Sequence, residues 1–310
     1  MTASATPAQQ SRLRGSPQRR RNEGAVRAVL FAAALLSILI SIGIVLALVF
    51  EAISFLSQIE LSQLVAPGWF PRRGMFSIST VIVGTLIVTI IAMAIAAPVG
   101  LGSAIYLSEY ASPKTRGIIK PILEILAGIP SVVLGFFALT WISPNVVQAI
   151  FSEAKGFSLM AAGIGVGILT IPLVASISED AMRAVPHALR EASYGLGARR
   201  LTTSIRVVVP AAISGVVAAL ILAISRAVGE TMVVALAAGA SGGSLFTVDP
   251  LGPGQTLTGA VASLAAGTDQ VTGATAAFQS LFFLGLLLFM MTLGLNVLGD
   301  AFVRRTRQSY

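Results

Sequence analysis

Two ionisable residues stand inside an apolar run where such residues are costly. They are Arg226 and Glu230, in the stretch AISRAVGETMVV. A spacing of four sets them on one face of a continuous helix, one turn apart. Counted from Pro210, Arg226 is 16 residues on. At ~1.5 Å per residue that is ~24 Å along a helix, near or beyond the middle of a bilayer. A charge at that depth costs roughly 2.5–3.5 kcal/mol on insertion scales, so it must face protein or water. Two readings stay open. The pair could be a structural lock between helices. Alternatively, the guanidinium could bind an oxyanion by two parallel hydrogen bonds on a transport path, with Glu230 holding it in place or pairing elsewhere when the path opens.

A second constellation is the longest charged interruption between apolar runs, HALREASYGLGARRLTTSIRVVVP, from His187 to Pro210. Ala188 to Tyr194 is rich in helix formers, and Gly195 and Gly197 follow, so a short helix and a turn are expected. Leu189, Ala192, Ser193 and Leu196 are three or four apart and would share a face. Small and apolar side chains there, with Arg190 and Glu191 at the edges, suit a groove on a soluble partner. The alternative is an ordinary basic loop.

The remaining polar residues carry less. Glu124 either snorkels to an interface or serves as a gate or subunit contact, and Glu109 and Lys114 are expected to be solvated or partner-facing. His187, the single histidine, reads as a capping or interface residue. There is no cysteine, so thiol chemistry and thiolate metal sites are excluded, and neither cofactor nor metal is expected. The run GASGGSL lacks the Gly-Lys-Ser/Thr ending of a phosphate-cradling loop, and no such motif occurs elsewhere. Gly163, Gly165 and Gly167 lie in an apolar span and read as helix-packing positions.

The elements that must position these residues follow from composition. The chain has 310 residues, 55% hydrophobic and 11% charged, with mean hydropathy +0.87. A soluble domain carries about 25% charged residues, so this is an all-α integral membrane protein. The net charge of +8 does not indicate nucleic acid, because the arginines sit in tails and in loops between spans. Residues 1–27 read as a basic, disordered tail. Six spans are expected at 28–50, 78–106, 121–142, 158–177, 211–238 and 274–298. They lie within a transmembrane domain, 28–303, interrupted by the charged loop 178–210, and a basic tail, 304–310, closes the chain. Pro67 to Pro71 suits an interfacial turn around Trp69, Pro98 suggests a kink, and Gly128 and Pro130 weaken the third span. The segment 143–157 reads as an external loop, and a short helix is expected near 259–266. With the amino terminus inside, inner segments hold seventeen Lys or Arg and outer ones three. The positive-inside bias therefore puts both termini and the 178–210 loop in the cytoplasm.

The spacing Glu191-Ala192-Ser193, then Gly197, then Val207-x-Val209-Pro210 resembles the EAA loop of ABC importer permeases. The departures are Ser193 for the second Ala, Val207 for Ile and Val209 for Leu. YLSEYASPKTR, LEILAGIPSVVLGFF, EDAMRAVPHALREASYGLGA and SRAVGETM resemble, in order, the phosphate-specific permeases of that group. ETMVV and QTLTGAVAS are closer to the PstC-type than to the PstA-type subunit. The resemblance runs from about Ser79 to Leu298. It implies a type I ABC importer permease fold with six transmembrane helices, moving inorganic phosphate across a bacterial inner membrane by alternating access. It also implies that Leu189, Arg190, Glu191, Ala192 and Gly197 form the coupling helix to an ATPase, and that Arg226 and Glu230 lie on the phosphate path. The implied partners are a second, PstA-like permease, two ATPase subunits that hydrolyse the ATP, and a periplasmic or lipid-held phosphate-binding protein. The alternative within the group is a permease for another oxyanion or small solute.

Overall fold

The computed structural model describes residues 17–239, 242–267 and 275–306. It divides into two units, residues 1–50 and 51–310. The first is the greater part of one helix, α1 (Pro17–Gln58), whose apolar side chains are exposed almost all round up to Phe50. The basic stretch 17–27, expected to lie in a disordered tail, is helical here. After Pro17 no residue stops a helix, and Pro17 itself suits a first helical turn. Residues 1–16 and 307–310 of the two basic tails lie outside the described residues, as do 268–274 of the last external segment.

In the second unit α1 gives way to a three-stranded antiparallel sheet of order β2–β1–β3. Its strands are β1 (Gly68–Phe70), β2 (Met75–Phe76) and β3 (Ser244–Leu245). Trp69, expected in an interfacial turn, is a strand residue opposite Phe76 and is buried. Its ring meets Phe76 edge-on, and Phe76 meets Phe55 likewise. This aromatic core, with Val81, Leu257 and Leu284, fastens the sheet to the helices around it.

α2 (Ile78–Tyr110) starts at Ser77, whose side chain accepts the Thr80 amide, and runs through Pro98 without a break. Its last turn, Tyr106–Tyr110, widens to π geometry. The expected third span is two helices. α3 (Pro113–Ala127) ends where Gly128 gives its amide to the carbonyls of Glu124 and Ile125. Pro130, with no N–H and a steric bar on a helical Ile129, restarts the chain as α4 (Ser131–Ile150). The expected external loop 143–157 is therefore helical as far as Ile150, and its helix is π-wound over Ala138–Val147, around Pro144.

α5 (Leu159–Arg183) is the central element. Ser158 caps it by accepting the Ala161 amide. Its glycines admit α2 closely: a Cβ on Gly163 would lie 2.7 Å from Ile91 Cβ, and one on Gly167 would lie 3.0 Å from the Ala92 carbonyl. Gly165 faces α4 and a later helix in the same way. The expectation that these glycines are packing positions holds.

α6 (His187–Gly195) is the short helix in the charged loop. α7 (Arg200–Ala211) and α8 (Ile213–Val228) follow, bent by 72° to one another. α9 (Met232–Ala237) and α10 (Leu257–Ala266) precede the last helix, α11 (Thr275–Thr306). Among the described residues five helices are long and apolar enough to cross a membrane, and the bent pair α7–α8 makes a sixth. The Thr80, Thr85 and Thr89 stripe of α2 is buried. It receives the entry to α10, with Leu257 donating its amide to Thr85 Oγ1 at 3.0 Å.

Candidate functional site

Two places gather the polar chemistry. The first is α6. A nine-residue helix has little stability of its own, so its position is set by what grips it. Arg190 does the gripping. Its Nη2 donates to Glu109 Oε1 at 2.8 Å and to the Met182 carbonyl at 2.8 Å, and its Nη1 donates to the Val185 carbonyl at 2.7 Å. Its Nε adds longer bonds to both Glu109 oxygens. The Glu109 side chain is 3% exposed and that of Arg190 11%. One guanidinium thus ties α6 to the π turn ending α2, to the C-terminal end of α5 and to the turn that follows it.

Glu109, expected to be solvated or partner-facing, is instead the buried anion of this clamp. The four-residue face read from spacing is also divided. Leu189 packs on the core of Ala104, Met182, Val185 and Val208, and Ser193 shares a 2.9 Å hydroxyl bond with Thr203. Glu191, Ala192, Tyr194 and Leu196 are exposed, Leu196 at 90%. The helix ends as expected: Gly197 takes φ +77°, a conformation costly for any residue with a Cβ. Of the residues assigned to coupling, Leu189 and Arg190 face the permease, while Glu191, Ala192 and Gly197 face outward.

The second place is the junction of α8 and α9, where the expected span 211–238 is interrupted. Gly229 closes α8 by donating to the Ser225 carbonyl, and helix resumes only at Met232. Arg226 and Glu230 are therefore not one turn apart on a single face. Among the described residues no ion pair joins them. Glu230 turns to the start of α9, where its carboxylate takes the Val233 amide at 3.5 Å, a position that also favours negative charge. Its carbonyl accepts Thr258 Oγ1 at 2.7 Å, tying the break to α10. Arg226 is exposed and lines a cavity of ≈ 220 Å³ with Lys120, Glu124, Pro172 and Glu179. Helix spacing could not reveal the parting, because it depends on Gly229 ending the helix.

One wall of that cavity is an ion cluster that sequence reasoning missed. Glu179 of α5 is fully buried, with Arg116 Nε at 2.7 Å and Lys120 Nζ at 3.2 Å. These contacts are electrostatic rather than aligned hydrogen bonds, since both Glu179 oxygens lack a hydrogen-bond partner. Lys120 also donates to Asp180 at 2.9 Å. That bond outweighs partial burial and holds the Lys120 ammonium above its ordinary value. The cluster anchors α3 to α5 across the Gly128–Pro130 break. The available signal was Arg116 and Lys120 at i, i+4 on α3, facing an acidic pair Glu179–Asp180 in an apolar span.

A bundle of helices apolar enough to cross a membrane, with a short clamped helix and a break beside Arg226, is that of a polytopic membrane protein. The comparisons make that specific. Residues 96–308 match the family model described as the binding-protein-dependent transport system inner membrane component, and the chain belongs to that family, the membrane subunits of ABC importers. A probable ABC transporter permease, YqgH of Bacillus subtilis, is 36% identical over 76% of this chain and 81% of its own length. The phosphate transport system permease PstC of Mesorhizobium japonicum is 31% identical over 84% of each chain. PstA 1 of Mycobacterium tuberculosis is 34% identical over a shorter reach, 56% of this chain and 55% of its own. Among solved structures, a bacterial ABC transporter that imports the acidic polysaccharide alginate superposes over 93% of this chain and 100% of its own. Its TM-score is 0.63 at 15% identity. The methionine transporter MetNI gives 0.52 at 21% identity, over 73% and 92%. These structural likenesses carry the fold, the type I ABC importer permease.

Proposed function

We propose that this chain is a PstC-type permease subunit that moves inorganic phosphate inward by alternating access, powered by ATP hydrolysis on a partner subunit. The observation that carries the substrate is Arg226. It is a guanidinium in the last turn of α8, beside a helix break, exposed to a cavity and without a carboxylate partner among the described residues. Non-helical backbone at membrane depth is tolerated where it lines a cavity, and a free guanidinium there can hold an oxyanion through two hydrogen bonds. The naming of relatives such as that of Mesorhizobium japonicum as phosphate permeases supports the same cargo. Glu230 serves this path indirectly, by starting α9 and fixing where the break falls.

The partners are a PstA-like second permease, two ATPase subunits docking on Glu191, Ala192 and the exposed end of α6, and a phosphate-binding protein on the opposite side. The distribution of Lys and Arg supports a topology with both termini in the cytoplasm. Closure of the ATPases displaces α6, and the Arg190 clamp passes that displacement to α2 and α5.

The test is phosphate uptake by cells carrying Arg226→Gln, with co-purification of the ATPase as the assembly control. Uptake is expected to fall at least tenfold with assembly intact. Arg226→Lys, which keeps charge but not the planar fork, is expected to fall between. Normal uptake by Arg226→Gln would remove Arg226 from the path.

A further inference from the structure

Beneath α6 lies a second cavity that the translocation path does not account for. Its volume is ≈ 430 Å³, and its lining includes the charged groups Arg116, Arg183, Arg190, Arg200 and Glu109, with His187. Two of the four guanidinium groups are already neutralised, Arg190 by Glu109 and Arg116 by Glu179. Among the described residues no carboxylate pairs with Arg183 or Arg200, and both are exposed, as is His187. Arg200 is held in place by another route: its guanidinium lies over the Tyr110 ring, 5.1 Å from the centroid, a cation–π contact that leaves its N–H groups free. Arg183 stands in the last turn of α5, where it also complements the helix dipole.

These groups come from separate elements. Arg183 belongs to α5, His187 to α6 and Arg200 to α7, and Tyr110 closes α2. Among the described residues the only acid lining the cavity, Glu109, is committed to the clamp. The cavity is thus a pre-formed cradle with two uncompensated guanidinium groups, and the complementary ligand is a compact anion able to take forked hydrogen bonds from both.

We propose that this cavity is a regulatory anion site for a phosphate group. Its source is either free phosphate on the α6 side or the headgroup of an anionic lipid. An occupant held by Arg183 and Arg200 links α5 to α7 across the base of α6 and restrains the helix that must move for ATP hydrolysis to be coupled. Free phosphate in the site would make the imported product slow its own import. The link to import rests on the phosphate-permease reading above, while the anion site itself does not.

The experiment uses the assembled importer with its ATPase subunits in nanodiscs of phosphatidylcholine. Binding of radiolabelled phosphate is compared in wild type, Arg226→Gln and Arg183→Gln/Arg200→Gln, and ATP turnover is followed by ADP release as phosphate is titrated against a chloride control. The expected result is saturable binding retained in Arg226→Gln and weakened at least tenfold in the double variant. The inhibitory phosphate concentration should rise by a similar factor. If the double variant does not retain the ATPase, Arg183→Gln alone, which lies outside α6, carries the same comparison. A second set of discs contains phosphatidylglycerol. Slowing of turnover by this lipid but not by free phosphate, abolished by the same substitutions, assigns the site to a lipid headgroup. Binding lost only in Arg226→Gln, or equal responses of wild type and double variant to both anions, overturns the proposal. Should Arg226→Gln take up phosphate normally while the cradle still binds it, the transport reading fails and the anion site stands.

Discussion

Removing Arg190 tests whether α6 is coupled to the membrane helices by one side chain. In Arg190→Ala the carboxylate of Glu109, 3% exposed at its side chain, stays buried without its cation, and the carbonyls of Met182 and Val185 each lose one donor. Breaking a buried pair in this way costs about 3–5 kcal/mol. The cost falls locally, because α6 is too short to hold its shape alone. At ~1.36 kcal/mol per tenfold change, a local loss of ~3 kcal/mol raises the opening equilibrium of α6 by a factor of ~150. Hydrogen–deuterium exchange of the assembled importer reads this directly, since amide protection reports local opening. The amides of 190–196 are expected to exchange about 100-fold faster, with little change in α5 before residue 178. Uptake should fall while ATP turnover persists, because ATPase movement is no longer passed on. Arg190→Lys keeps the charge but cannot reach the carboxylate and two carbonyls together, so an acceleration of about tenfold is expected. Unchanged exchange in α6, or full uptake by Arg190→Ala, would refute the reasoning.

Three further outcomes follow from the packing and the ion cluster. Gly163→Ala places a Cβ 2.7 Å from Ile91 Cβ and is expected to cost about 1–3 kcal/mol, seen as a lower thermal midpoint in detergent. Gly102→Ala, with nothing within 4 Å, should leave that midpoint in place. Gly197→Ala forces a Cβ into φ +77° at about 1–2 kcal/mol, and should loosen the α6 turn in exchange measurements without altering membrane insertion. The Lys120 ammonium is held above its ordinary value of 10.5, chiefly by its bond to Asp180. A raised pKa gives stability that is complete below the ordinary value and is lost as pH rises through the raised one. The difference in thermal midpoint between wild type and Lys120→Gln should therefore stay constant from about pH 6 to about pH 9 and shrink only in stronger alkali. A difference that varied across the neutral range would show that Lys120 is not the charged member of the cluster.

Membrane character, the helical class and the existence of the charged loop were legible in the sequence because each rests on local composition. Apolar runs long enough to span need no partner to be recognised. Gly197 as the end of α6 and Gly163, Gly165 and Gly167 as packing positions follow from residue type alone, since only glycine meets those demands without strain. Gly128 and Pro130 were legible as weak points, whereas Gly229 was read inside a continuous span. Whether each bends a helix or ends it depends on what satisfies the freed backbone groups, and that is supplied by distant elements such as Thr258 of α10.

The tertiary structure alone decided the pairing of charges. A sequence spacing of four proposed Arg226 with Glu230, yet a three-residue break parts them and leaves Arg226 on a cavity wall. Arg190 finds Glu109 across 81 positions, and Arg116 and Lys120 find Glu179 across about 60. A buried charge must be compensated by some opposite charge, but the demand does not say which one. The choice is made by the glycine-mediated approach of α2 to α5, which carries Glu109 to the base of α6.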